Sequence, residues 1–314
     1  MSLRNPPRPA GDFSETGETQ LDEFGQTKRR SPWRWSRRSN HLPWVSIFIV
    51  VVVLILPALF AGLITTHDPL RGELADRLIP PAWAEGGSLT YPLGTDKQGR
   101  DILTRMIYGA RISLTVSSLT ILIGAVVGST LGLLAGYFGG WIDRIVSWLI
   151  DTFLSLPHVL LALVIVAAIG PSFVTIIAII AITIWASFAR QVRGETLSVR
   201  ETEYVARARV AGASSFRILL RHVLPNVANT LIVLATLQVG VVILEESSLS
   251  FIGAGIPRPN PSWGVMVADG RDQILTAWWI SFFPGLAILL VVLSLNLMGD
   301  WLRDFLDPKM RQRQ

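Results

Sequence analysis

The sequence predicts an all-α protein that crosses a membrane with six helices. Of its 314 residues, 50% are hydrophobic and only 16% are charged, whereas a soluble domain carries about a quarter charged residues. The hydrophobic residues are concentrated in blocks of about 20, the length that an α-helix needs to cross the hydrocarbon of a bilayer. Composition and its uneven distribution together indicate a polytopic membrane protein.

Six blocks have the length and hydropathy of membrane-spanning helices. The third is expected to kink at Pro157, and its charged beginning around Asp143, Arg144 and Asp151 is expected to lie in the membrane interface. The predicted spans are residues 44–64, 112–137, 141–169, 171–189, 228–250 and 280–301. The last five form one core, residues 112–302.

The segments outside these spans differ in character. Residues 1–43 are rich in Pro, Gly and Ser, which predicts a disordered tail, and its end, "KRRSPWRWSRRSNHLPW", predicts an Arg and Trp anchor at the membrane surface. Residues 65–111 are predicted to be a loop that ends in an amphipathic helix, with Asp101 as its cap or first-turn residue. Residues 303–314 are predicted to be a short polar tail.

The lysines and arginines predict the orientation in the membrane. Of the 28, 20 fall on the side that holds both termini and the loop 190–226, and positive residues concentrate in cytoplasmic loops. Both termini and this loop are therefore expected in the cytoplasm. The net charge of +5 is interpreted as orientation and contact with anionic membrane lipids rather than as binding of nucleic acid.

Four glycines recur at every fourth position of the second span, which contains "GAVVGSTLGLLAG". On a helix they form one stripe, and such a stripe lets a second helix approach closely. The sequence leaves open whether that helix belongs to this chain or to a partner. The glycines are Gly124, Gly128, Gly132 and Gly136.

Several kinds of chemistry are absent. The chain has no cysteine, and none of its 4 histidines forms a metal-ligand spacing with another, so neither a metal site nor a cofactor is predicted. The nucleotide-binding motif G-x-x-x-x-G-K-[ST] and the hydrolase motifs G-x-S-x-G and H-E-x-x-H are also missing. Asp143 and Asp151 are better explained by interfacial solvation or ion pairing than by an intramembrane aspartyl protease. The sequence therefore predicts a protein that is not an enzyme.

Two adjacent carboxylates close the fifth span in "VVILEESSLS". Because a carboxylate at the bilayer centre costs ~2.5–3.5 kcal/mol, Glu245 and Glu246 are expected near the outer end of the helix, facing a cavity, a partner or water. A translocation path or gate that includes Ser247 explains them as well as an interfacial position does.

The loop 190–226 carries seven arginines and three glutamates, so it cannot enter hydrocarbon. Its composition predicts a helix from Glu203 to Val210, followed by a left-handed turn at Gly212. A second helix is expected to begin with Ser214 or Ser215 as its cap, and Leu224-Pro225 is expected to stop it before the next span.

The second helix combines an apolar face, Phe216, Leu219 and Leu220, with a basic edge, Arg217 and Arg221. No other part of the chain is an obvious cover for this apolar face. The second helix is therefore predicted to bind a partner in the cytoplasm.

A DNA-binding helix–turn–helix has a similar spacing of small, glycine and aliphatic residues, at Ala208, Gly212 and Ile218. Two membrane spans hold this segment, however, and leave it little freedom to enter a major groove. DNA binding is therefore disfavoured.

The stretch "ETEYVARARVAGASSFRILLRHVLPN" resembles the cytoplasmic signature of the permease subunits of bacterial ABC importers. That signature is E-A-A, three residues, Gly, nine residues, an aliphatic residue, one residue and Leu-Pro. Ala208 fits its last alanine, Gly212 its glycine and Leu224-Pro225 its end. The chain departs from it at Ala206 and Arg207, and at His222, where an aliphatic residue is usual.

Four further blocks resemble the second permease of the dipeptide/oligopeptide/nickel branch. They are "YPLGTDKQGRDILTRMIYGARISL", "GYFGGWIDRIVSWLID", "EESSLSFIGAGIPRPNPSWG" and "LNLMGDWLRDFLDP", and Tyr91 stands where that branch usually has histidine. Together with the cytoplasmic signature they cover roughly residues 90–310.

The resemblance implies a type I importer fold in a bacterial inner membrane. The implied partners are a second permease, two cytoplasmic ATPases and an extracytoplasmic solute-binding protein, with the 203–225 helix pair seated on one ATPase. The residues that it assigns to coupling are Glu203, Tyr204, Ala208, Gly212, Ala213, Ser214, Arg217, Leu224 and Pro225. The rival hypothesis is a self-sufficient secondary transporter or channel, and the transported solute is left open between dipeptides, longer peptides, nickel chelates and sugars.

Overall fold

The computed structural model describes residues 43–306, and within this range the chain is helical and contains no strand. An isolated bridge between Thr95 and Asp101 is the β pairing found there. The α-helices are α1 (Trp44–Ile64), α2 (Ile102–Phe138), α3 (Gly140–Ser155), α4 (His158–Ile169), α5 (Phe173–Arg200), α6 (Glu203–Val210), α7 (Ser215–Phe251), α8 (Trp263–Gly270) and α9 (Trp279–Leu306).

Five of these helices, α1, α2, α5, α7 and α9, are long and apolar enough to cross a membrane, and α3 with α4 makes a sixth span if the bent pair counts as one. The bend between α3 and α4 is 87°, so the kink predicted at Pro157 is a complete break. Proline disfavours helical geometry in the residue before it, and Leu156 accordingly has an extended ψ of 133°.

Two helices extend beyond the predicted spans. The predicted amphipathic segment and the second span form one helix of 37 residues, α2, because no proline separates them. Asp101 caps α2, as predicted, by accepting hydrogen bonds from the N–H groups of Leu103 and Thr104. Helix α5 continues past the predicted end at residue 189 to Arg200.

The prediction that Leu224-Pro225 stops the second helix of the 190–226 loop is wrong. Helix α7 runs from Ser215 through this proline to Phe251, and residues Leu219–Val223 form a π-helical turn just before it. Proline cannot donate a hydrogen bond, and in an α-helix its ring clashes with the carbonyl four residues earlier. Because that carbonyl lies in the wider turn, the helix continues; α1 has the same arrangement, with Val50–Ile55 before Pro57.

Helix α2 packs most extensively on α5, along the glycine stripe. Each of the four glycines is buried and faces α5: a Cβ added at Gly132 would lie 2.6 Å from the carbonyl oxygen of Ala189, and one at Gly136 would lie 2.7 Å from Cβ of Thr196. The helix that this stripe admits therefore belongs to the same chain.

The bundle has two ends, which we call the α6 side and the α8 side. The α6 side holds α6, the end of α2 and the end of α5, and the α8 side holds α8 and residues 65–101. Two indole N–H groups connect segments of the α8 side: Trp263 of α8 donates to the carbonyl of Met106 in α2 at 2.9 Å, and Trp279 of α9 donates to the carbonyl of Thr95 at 3.1 Å. All but the last residue of the predicted tail 1–43, and residues 307–314, lie outside the described range.

Candidate functional site

Helix α6 ends in a Schellman motif built on Gly212. This glycine has a φ of +79°, a backbone conformation that residues other than glycine rarely adopt. Its N–H donates to the carbonyl of Arg209, and the N–H of Ala213 donates to that of Ala208, both at 3.1 Å. The predicted left-handed turn is thus confirmed, and its hydrogen bonds satisfy helix-end carbonyls.

Ser214 is the cap of α7, which confirms one of the two predicted positions. Its hydroxyl accepts a hydrogen bond of 3.4 Å from the N–H of Arg217. The 203–225 segment is therefore a pair of capped helices joined by a turn, and its conformation is defined by local hydrogen bonds.

The inner surface of the 203–225 segment is buried by the chain itself. Val205, Ile218, Leu219 and Val223 form one hydrophobic cluster with residues of α5 and α7, and Ala208 and Ala213 pack against it from the edge. The expectation that nothing in the chain covers the apolar face is therefore wrong for Leu219, because the end of α5 lies beneath it. Burial of these side chains fixes the segment to the membrane bundle.

The outer surface of the same segment keeps an apolar patch. Val210 is 90% exposed, Phe216 71%, Leu220 48% and Tyr204 42%. A Cβ added at Gly212, between α6 and α7, would have no neighbour within 4 Å. We call these four side chains the apolar patch: Phe216 and Leu220 are neighbours on α7 by their i, i+4 spacing, and exposed large apolar side chains concentrated in one segment indicate an interaction surface.

Positive charges surround this patch. Four arginines, Arg207, Arg209, Arg217 and Arg221, are exposed. Within the described range, Arg207 is the one of these four that forms an ion pair, with Glu203 at 2.9 Å. Pro225 is exposed at the base of the patch and Leu224 is half-buried. The 203–225 segment thus offers an apolar centre with a basic rim, which is a common arrangement of protein–protein interfaces.

Ion pairs on the α6 side connect α5 to α3. Both Nε and Nη2 of Arg193 donate to the carboxylate of Asp143, and Arg190 donates to Asp151 at 2.7 Å. Ion pairing therefore explains why Asp143 and Asp151 occur at the beginning of the third predicted span.

The predicted path residues have three different environments. Glu246 is completely buried, and its Oε1 accepts a hydrogen bond of 2.6 Å from Ser250. Ser247 is also buried, where its backbone approaches Gly264 of α8. The expectation that both glutamates face a cavity, a partner or water is therefore wrong for Glu246, because α8 covers it. Glu245 remains partly exposed and contacts His158 at 3.3 Å.

A buried cluster of charges on the α8 side has no counterpart in the sequence-based predictions. Asp96 accepts from Arg100 at 2.7 Å, Asp269 accepts from Arg258 at 2.8 Å, and Arg105 lies 3.7 Å from Asp96 and 3.9 Å from Asp269. The cluster joins residues 65–101 to α8. Its sequence signal is the acid and base four residues apart in "DKQGR", which resembles an ordinary solvated loop.

Comparison with known proteins gives consistent similarities. Residues 128–312 match the family model described as binding-protein-dependent transport system inner membrane component. The dipeptide transport system permease protein DppC of Alkalihalophilus pseudofirmus is 43% identical over 90% of this chain and 91% of that protein. The glutathione transport system permease protein GsiD of Pectobacterium atrosepticum is 39% identical over 90% and 93%. A solved structure of the MetNI methionine ABC transporter matches 66% of this chain and 98% of its own, with a TM-score of 0.55 and 18% identity, a likeness of fold.

Proposed function

The chain belongs to the family of binding-protein-dependent transport system inner membrane components, and from this membership we propose that it is a permease subunit of an ATP-driven peptide importer. In this proposal it forms half of a translocation path for di- or oligopeptides. The names of its relatives support a peptide substrate, since they include dipeptide, di/tripeptide and glutathione transport systems.

The observation that carries the proposal is the outer surface of the 203–225 segment. An apolar patch with a basic rim projects from a membrane bundle, and the sequence contains no nucleotide-binding motif of the G-x-x-x-x-G-K-[ST] type. We propose that this surface binds a cytoplasmic ATPase, which supplies the hydrolysis that this non-catalytic subunit lacks. The α6 side, and with it both termini, would then face the cytoplasm, in agreement with the distribution of lysine and arginine.

The proposed coupling residues fall into two groups. Glu203, Tyr204, Gly212, Ser214 and Arg217 lie on the exposed surface, where they would contact the ATPase directly. Ala208, Ala213 and Leu224 are half-buried, and Pro225 lies within α7; these would set the position of the segment. Helix α7 would transmit a movement of the bound ATPase to the membrane-spanning part of the chain.

The complete assembly in this proposal contains a second permease, two ATPases and an extracytoplasmic solute-binding protein. The solute-binding protein would approach the α8 side, the second permease would complete the path, and lipids would surround the remaining faces. Nucleic acid has no place in the assembly.

The experiment replaces Gly212 by tryptophan and Gly194 by tryptophan as a matched control. Both glycines are exposed and have no atom within 4 Å of an added Cβ, but only Gly212 has a positive φ and lies between α6 and α7. We expect Gly212→Trp to abolish ATP-driven peptide uptake and co-purification of the ATPase while the chain still reaches the membrane. Gly194→Trp should retain both.

Uptake that persists in Gly212→Trp without any associated ATPase would contradict the proposal. Peptide uptake by the purified chain alone, driven by an ion gradient in liposomes, would instead support the rival hypothesis of a self-sufficient secondary transporter or channel.

A further inference from the structure

Two residues that are distant in sequence meet between membrane-spanning helices. Nδ1 of His158 lies 3.3 Å from Oε1 of Glu245. His158 is the first residue of α4, immediately after the 87° break, and Glu245 lies on α7. Their side chains are 39% and 28% exposed, so the pair is reachable from outside the chain.

The exposed face of α7 around this pair is otherwise almost entirely apolar. Val241 and Leu244 are 43% and 51% exposed, and Ser248, also exposed, continues the same face by helical spacing. His158 is separated from the far end of α4, at Ile169, by about 16 Å at 1.5 Å per residue. Glu245 is about 9 Å from Phe251, the end of α7, by the same rise. The pair therefore lies within the helical part of the bundle, nearer to its α8 side.

A carboxylate within a membrane-spanning helix is unfavourable on a face that contacts lipid. Ionisable residues in spans accordingly face the interior of an assembly or a water-filled cavity. Glu246 is buried under α8, whereas the side chain of Glu245 remains 28% exposed beside His158. The face that carries Glu245 is thus expected to contact water or the second permease of the proposed assembly.

We propose that His158 and Glu245 line the translocation path and that Glu245 binds the amino terminus of a passing peptide. This inference rests on the proposed function and adds to it a residue, His158, and a recognised chemical group. A carboxylate only accepts hydrogen bonds when ionised, and an ammonium group is its strongest mobile partner in a peptide. The imidazole of His158 is the neighbour that the ammonium displaces.

The absence of cysteine from the chain gives a direct test in the assembled transporter. The variant His158→Cys is treated with the impermeant reagent 2-(trimethylammonium)ethyl methanethiosulfonate, and modification is read from the mass of this chain. Ala162→Cys, at a position that is 0% exposed on the same helix, is the matched control. We expect His158→Cys to be modified and Ala162→Cys to remain unmodified.

Protection by peptides then identifies the recognised group. Alanyl-alanine and its N-acetylated form are added directly to the complex, which removes any selection by a solute-binding protein. We expect alanyl-alanine to protect His158→Cys at a concentration about tenfold lower than the acetylated peptide, the difference that one charge-assisted hydrogen bond provides. Addition of Glu245→Gln to the same variant should remove this difference, and Glu85→Gln, a change in an exposed loop, should leave it.

Equal protection by the two peptides, or the absence of any modification of His158→Cys, overturns the inference. ATP-driven uptake of alanyl-alanine by the unmodified complex is measured in parallel. If uptake occurs but protection does not, only the inference fails. If uptake does not depend on ATP, the proposed function fails and the inference fails with it.

Discussion

Arg200 donates a hydrogen bond of 2.8 Å from Nη1 to the carbonyl oxygen of Gly136. Gly136 is the last glycine of the stripe and lies in the final turn of α2, where carbonyl groups lack partners within the helix. Arg200 is the last residue of α5. Its guanidinium therefore provides a hydrogen-bond donor for a carbonyl at the end of α2, the helix against which α5 packs. The contact between α2 and α5 thus extends to the point where the 203–225 segment begins.

This close contact makes the glycine stripe sensitive to a single methyl group. A Cβ at Gly128 would meet the backbone of Trp185 and lie 3.0 Å from the backbone nitrogen of Ala189, so Gly128→Ala must separate α2 from α5. We expect a loss of about 1–3 kcal/mol in stability, as in other overpacked cores. The midpoint of thermal unfolding in detergent measures it.

The control for this prediction is Gly285→Ala, whose added Cβ has no neighbour within 4 Å. Because alanine favours helix over glycine, this variant should be unchanged or up to about 1 kcal/mol more stable. Equal unfolding midpoints for the two variants would show that the stripe does not determine the packing.

The two ion pairs between α3 and α5 are expected to differ in strength. The side chains of Arg193 and Asp143 are 32% and 23% exposed, whereas those of Arg190 and Asp151 are 58% and 73% exposed. A double-mutant cycle with Arg193→Gln and Asp143→Asn should give a coupling free energy of about 1–3 kcal/mol, since both N–H groups of the guanidinium contact one carboxylate.

The same cycle on Arg190 and Asp151 should give less than about 1 kcal/mol, because solvent screens exposed pairs. Unfolding free energies of the four variants in each cycle provide the measurement. A larger coupling for the exposed pair would refute the assignment of strengths.

Asp269 is expected to be the most sensitive position of the buried charge cluster. It is 6% exposed and accepts from Arg258, with Arg100 and Arg105 within 4 Å. Asp269→Asn removes the carboxylate that accepts from Arg258. It also leaves Asp96 as the one carboxylate of the cluster beside two buried cations, Arg100 and Arg105, and we expect it to cost about 3–5 kcal/mol of unfolding free energy.

Asp272→Asn is the matched control on the same side, since the side chain of Asp272 is 76% exposed. Its effect should stay within about 0.5 kcal/mol. Denaturant titration of both variants compares them, and a tolerated Asp269→Asn would mean that the cluster does not hold residues 65–101 to α8.

The phenol of Tyr91 should lose its proton at an unusually high pH. Its hydroxyl donates to Asp76 at 2.8 Å, and this hydrogen bond, with further burial and nearby carboxylates, raises the pKa of Tyr91 to about 12. The raised pKa means that the neutral phenol is favoured in the folded state. The associated stability is complete below pH 10 and is lost as the pH rises from about 10 to about 12.

Ultraviolet difference titration between the unchanged chain and Tyr91→Phe isolates this phenol from the other tyrosines. Asp76→Asn should return the pKa toward its ordinary value of about 10. A Tyr91 that titrates near 10 with Asp76 intact would contradict the contact.

Much of the 203–225 segment could be predicted from sequence because its determinants are local. The helix Glu203–Val210, the positive φ of Gly212 and the cap at Ser214 all follow from residue type and spacing within a few positions. The glycine stripe of α2 is local in the same sense, since four residues in register define a helix face.

The missed features depend on contacts between distant residues. His158 and Glu245 are 87 residues apart, and no periodicity connects them. Arg105 belongs to an apolar helix and Asp96 to a polar loop, so neither suggests a buried cluster. The continuation of α7 through Pro225 was missed because the rule that proline stops a helix assumes an α-helical turn before it.

Helix α7 runs without interruption from the second half of the 203–225 segment to Glu245 and beyond, so it also fixes the angle between side chains at its two ends. Phe216 and Glu245 lie on one axis, about 44 Å apart at 1.5 Å per residue, with only the π-helical turn Leu219–Val223 between two regular stretches. Removal of one residue from that turn would rotate Phe216 by about 100° relative to Glu245. The number of residues between the two ends of α7 therefore sets the direction in which Phe216 projects relative to Glu245.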